Sequence, residues 1–118
     1  MSNLNKFIES IIDNDGASFN INTGEFNPDD GFFVSIKGFE KIVDKQGLTS
    51  HVANFVQENA FQLSKLDMFL GGWVRKDDSV ALDVSIKVPT LCEALTIGRK
   101  NEQEAIYDAV NKEIINLK

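Results

Sequence analysis

A chain of 118 residues, 42% of them apolar and nine of them Phe, has the size of one domain and enough hydrophobic mass to hide roughly 65% of its unfolded surface without staples. Its single cysteine, Cys92, excludes an intrachain disulfide and fits a reducing compartment. The net charge of −6 disfavours a role built on phosphate backbones.

The acidity is uneven. Residues 1–30 hold Glu9, Asp13, Asp15, Glu25, Asp29 and Asp30 against Lys6 alone, whereas acids and bases nearly cancel in residues 31–118. The acidic leader reads either as a solvated segment or as an arm that docks on a basic partner or mimics a phosphate path. Its apolar run is too short for a signal peptide, and no stretch approaches the roughly 20 apolar residues of a membrane span. The expected setting is the cytoplasm, with no membrane partner.

Leu4, Phe7, Ile8, Ile11 and Ile12 recur at helical spacing and predict a short amphipathic helix over 4–12, closed by Asn14-Asp15-Gly16. Phe19, Ile21 and Thr23 alternate with polar residues, as in a short strand. Asn27 to Gly31 is dense in turn formers and reads as a loop. The run FFVSIKGFEKIV predicts a strand over 32–43, interrupted at Gly38, with Phe32, Val34 and Ile36 facing the core. A helix follows over 50–64, capped by Thr49 or Ser50, with Val52, Phe55, Val56, Ala60 and Leu63 on one stripe.

Met68 to Arg75 predicts a strand, and Lys76 to Ser79 a turn. The clearest pattern in the chain comes next. Val80, Leu82, Val84, Ile86 and Val88 alternate with Ala81, Asp83, Ser85 and Lys87, which predicts a strand with one buried and one wetter face. Pro89 stops it. Thr90 and Glu93 form a capping box opening a helix whose inner face is Leu91, Ala94, Leu95 and Gly98. Residues 102–118 suit either one helix or two strands. The Asn111-Lys112 pair between β-branched runs favours a hairpin.

From residue 31 the order strand, helix, strand, strand, helix, strand defines an α+β fold. The expectation is a ferredoxin-like split β-α-β sandwich, an antiparallel sheet with two helices on one face, occupying 31–118. Residues 1–30 would add an N-terminal helix and an acidic arm.

The segment LGGWVRKDDSVALDVSIKV is followed by Ala94, Gly98, Arg99, Asn101, Glu102, Gln103, Ala105, Ile106, Tyr107 and Asp108 in the pattern A-x3-GR-x-NEQ-x-AIYD. Over residues 31–115 this resembles small uncharacterised proteins of phages, prophages and integrative mobile elements. The resemblance implies no catalytic residues to carry over. It implies an accessory or anti-defence role in the cytoplasm of a host cell.

Candidate chemistry is sparse. His51 has no second histidine or cysteine near it, and zinc takes three or four ligands, so neither a metal nor a cofactor is expected. Cys92, beside Leu91, reads as half-buried and inert. Asp83 and Asp108 could meet on neighbouring strands as a carboxylate pair. Arg99-Lys100 is a helix end that complements the dipole, or an anion or nucleotide contact. Gly71-Gly72 opens no helix and so cradles no phosphate; it permits a bend or a close approach. Trp73 reads first as core filler; if instead it faces out with Phe69 and is flanked by Arg75, the set has the composition of an interface hot spot, and Phe7 and Ile11 supply a second apolar surface.

Three functions compete. The first is a non-enzymatic protein-binding accessory or inhibitor protein, acting on a host or defence component. The second is a nucleic-acid-binding module using the exposed sheet face, with duplex DNA not expected as a partner. The third is a small nucleotide-binding protein or enzyme with a site near Asp83, Arg99 and Asp108. The first is favoured, with a homodimer formed through strand 69–75 or 113–117 at a sheet edge.

Overall fold

The computed structural model describes residues 3–117. The chain forms α1 (Asn3–Asn14), β1 (Gly16–Phe19), β2 (Phe32–Ser35), β3 (Lys41–Val43), α2 (Leu48–Glu58), α3 (Ala60–Leu63), β4 (Met68–Val74), β5 (Val80–Val88), α4 (Leu91–Lys100), β6 (Ala105–Asp108) and β7 (Glu113–Asn116). The fold is α+β. All seven strands belong to one antiparallel sheet of order β1-β4-β5-β2-β6-β7, and β3 pairs β5 beside β2.

β5 is the spine because its alternation is the longest. Seven of its nine residues pair β4, from Met68↔Ile86 to Val74↔Val80. On the other side β2 takes the half from Ser85 to Val88 and β3 the half from Val80 to Leu82. The run 32–43 is therefore two strands, and Gly38 in the break between them has φ +93, a conformation that suits glycine.

Period-2 alternation puts Val80, Leu82 and Val84 on one face, where they pack with Phe7, Ile11, Val52, Phe55 and Leu63 of the helices. Val34, Val88 and Ile106 continue that face under Ala94 of α4. The helices thus lie on one side of the sheet. No helix of the described residues is long and apolar enough to cross a membrane.

Local chemistry explains most helix ends. The Thr90 hydroxyl accepts a hydrogen bond from the Glu93 N–H at 3.2 Å, so that cap forms as expected. Leu91, however, is exposed rather than on the inner face. The helix predicted over 50–64 breaks at Asn59, whose side chain donates back to the Phe55 carbonyl. It starts earlier than predicted, with Gly47 as its cap at φ 74 and no bond from Thr49 or Ser50. α1 ends with Asp15 at φ 66, and Gly16 already belongs to β1. Residues 102–117 form a hairpin, β6 and β7, around a turn containing Asn111 and Lys112.

Residues 3–30 do not stand apart from the core. Phe7 and Ile11 are fully buried in the main cluster, and β1 pairs β4 from Gly16↔Trp73 to Phe19↔Leu70. A Cβ at Gly72 would come within 2.6 Å of Ile11 Cδ1, so α1 rests directly on β4 there. Glu9 and Asp13 lie on the outer side of α1, so an acidic sequence still buries an apolar stripe. Two acids of the following loop are also anchored: Lys87 Nζ donates to Glu25 at 3.0 Å and to Asp30 at 2.8 Å.

Candidate functional site

The second face of the sheet has no helix layer. Cross-strand register sets its composition in rows. Ile42 of β3, Ala81 and Trp73 form the first; Asp83 lies opposite Gly71 in the second. Ser35, Ser85 and Phe69 form the third, and Lys87, Phe33, Tyr107 and Ile114 the fourth. Along this face Trp73 is 46% exposed, Ile42 43%, Tyr107 39% and Ile114 70%.

The middle of the face is closed by its own side chains. Phe33 and Phe69 meet edge to face with ring centroids 5.0 Å apart, and both are buried. Lys87 Nζ lies 6.0 Å from the Phe69 centroid while held by Glu25 and Asp30. Beside it, Asn20, Glu25, Asp30, Asp67, Lys87 and Pro89 border an open cavity of about 550 Å³. The loop over residues 20–31 therefore roofs one end of the sheet.

Asp83 is the buried acid on this face. It is only 6% exposed, and its carboxylate accepts hydrogen bonds from the Ser35 hydroxyl at 2.9 Å and the Ser85 hydroxyl at 3.0 Å. Burial pushes its pKa up; the two hydroxyls pull it partly back, and the Glu40 charge adds to the rise. The carboxylate lies against Gly71, where a Cβ would overlap it. The face predicted to be wetter thus carries a buried acid at its centre. The apolar alternation alone gave no sign that Ser35, Ser85 and Gly71 would enclose it.

The other predicted residues fall into separate places. Asp108 is in register with Phe32 and Val88, on the helix side of the sheet, so it does not pair with Asp83. Its carboxylate accepts from the Asn111 side chain at 2.7 Å and from the backbone N–H groups of Val110 and Asn111, which hold its pKa down. It organises the β6–β7 turn. Arg99 and Lys100 are exposed at the end of α4, and Arg99 borders an open cleft of about 290 Å³ with Glu102, Gln103 and Leu117. Asp83, Arg99 and Asp108 form no common site.

Of the interface set, Trp73 is exposed, Phe69 is buried beneath Lys87, and Arg75 is exposed at the β4–β5 turn. Phe7 and Ile11 are core residues. β4 is interior, between β1 and β5, whereas β7 is an edge strand. Cys92 is exposed rather than half-buried. The described residues contain no group of three or more His, Cys, Asp or Glu placed to hold a metal ion. No protein-family model, curated protein or solved structure matches the chain.

Proposed function

We propose that the chain is a non-enzymatic binding protein that grips another protein with the uncovered face of its sheet. The observation that carries this reading is the row Ile42–Ala81–Trp73. A half-exposed tryptophan and a half-exposed isoleucine flank a buried alanine on the sheet. Such aromatic anchors supply most of the energy of protein interfaces.

The side-by-side strands β4-β5-β2-β6, with α2 and α4 between them in sequence, support reading the scaffold as a ferredoxin-like sandwich extended by β1, β3 and β7. The resemblance to proteins of phages and mobile elements favours a host protein in the cytoplasm as the partner, a defence component among the candidates. A nucleic acid has less in its favour. Lys87, the basic side chain within these sheet rows, already pairs with Glu25 and Asp30, and Asp83 places a carboxyl group at the centre.

The test compares proteins retained from a bacterial host lysate by the immobilised chain and by its Trp73→Ala variant, with melting curves to confirm that both are folded. The reading expects a specific protein held by the first and lost by the second. Equal retention by both would remove Trp73 from the binding surface and defeat the reading.

A further inference from the structure

The two outermost strands of the sheet are finished differently. On β1 the Asn27 N–H donates to the Ser18 carbonyl at 2.8 Å, and the Asn27 side-chain oxygen accepts from the Ser18 N–H at 2.8 Å. That edge is sealed by its own chain. β7 has no strand beyond it among the described residues, and its four residues, Glu-Ile-Ile-Asn, contain no proline or lysine of the kind that blunts an edge. β3, which also has a free side, is only three residues long.

Backbone direction on β7 follows from one bond. The Leu117 N–H donates to the Glu104 carbonyl at 2.8 Å. Amide groups alternate sides along an antiparallel strand, so Glu113, Ile115 and Leu117 turn toward β6. Ile114 and Asn116 turn their N–H and C=O groups outward.

From this edge we infer that β7 pairs antiparallel with β7 of a second copy of the chain, about a two-fold axis at Ile115. In that register Ile114 lies opposite Asn116 of the other copy, so the two outward residues exchange N–H···O bonds twice. Ile115 meets its own counterpart. Glu113 comes opposite Leu117 of the second copy, and Leu117 shares its cleft with Arg99. Arg99 is in none of the ion pairs among the described residues, whereas the neighbouring Glu102 is paired with Lys37. Each Glu113 therefore meets the Arg99 of the other copy, once on each side of the axis. This charge complementarity selects a second copy as the occupant and fixes the register. A single short strand buries less than a standard interface, so the association is weak and concentration-dependent. It does not use Trp73.

Sedimentation equilibrium of the full chain over roughly 10 µM to 1 mM reads this directly. The mass should rise from 13.1 kDa toward twice that value with increasing concentration. Asn116→Pro deletes only an outward N–H, so it should leave the melting curve intact and hold the protein at the monomer mass. Glu113→Arg and Arg99→Glu should each weaken association by about tenfold or more, and the two together should restore it. A wild-type chain that stays monomeric throughout, or an Asn116→Pro variant that associates as well as wild type, overturns the pairing. A double exchange that fails to restore association overturns the register.

Discussion

The seat of α1 on the sheet is tested most sharply at Gly72. A methyl group there would stand 2.6 Å from Ile11 Cδ1, 3.0 Å from Phe7 Cζ and 3.3 Å from Ile11 Cγ1. All three atoms belong to fully buried side chains, which have no free space to retreat into. Gly72→Ala should therefore behave as overpacking and cost about 1–3 kcal/mol. Ile11→Val removes the closest atom. Alone it should cost about 0.5–1.5 kcal/mol as a cavity mutation. Combined with Gly72→Ala it makes room for the new methyl, so the double variant should lose less than the sum of the two, by about 1 kcal/mol. Urea unfolding followed by circular dichroism measures each free energy. A neutral Gly72→Ala, or a strictly additive double variant, would mean that α1 does not rest on β4, and that residues 3–30 are an appendage after all.

Leu82 is fully buried between the sheet and the helices, so Leu82→Ala should cost about 2–5 kcal/mol in the same assay; a cost below 1 kcal/mol would contradict its place in the core. Asp83 has a folded-state pKa above its unfolded value, so the stability it lends is complete below the ordinary carboxylate range, about 3.9, and is lost as pH rises through the folded-state pKa. Asp83→Asn should accordingly gain stability over wild type as pH rises from about 4 toward 8. Melting temperatures that diverge in the opposite direction, or not at all, would show that Asp83 is not buried as an acid.

How much could be read from the residues depends on whether the signal was local. The extent of β5, the Thr90 cap and the final hairpin are written in neighbouring side chains and formed as the pattern implied, but the wetter face expected of β5 did not, because Ala81, Asp83 and Ser85 are buried. Which strands become neighbours is not local. Phe7 and Ile11 looked like a spare apolar surface because nothing near them in sequence reveals that β1 carries α1 onto Gly72. The acids of the leader suggested a detached arm, yet Glu25 and Asp30 find Lys87 far along the chain. Asp83 and Asp108 looked like neighbours because intervening β2 comes earlier in sequence, and because opposite faces cannot be told from strand identity alone. Trp73 was singled out by its type and by Phe69 and Arg75 near it, but which way it faced stayed open until the register was set. Ile42, Tyr107 and Ile114 were missed because they join its face only once β3, β6 and β7 are in register.

The proposed partner would cover the open face of the sheet at Trp73. Trp73 is the only tryptophan in the chain. A chain labelled with 5-fluorotryptophan therefore gives one fluorine resonance that reports this site alone. When the protein retained from host lysate is added, this resonance should shift and lose its sensitivity to exchange of H2O for D2O, because the indole becomes covered. A complex that forms while the resonance keeps its position and its solvent sensitivity would place the partner away from Trp73.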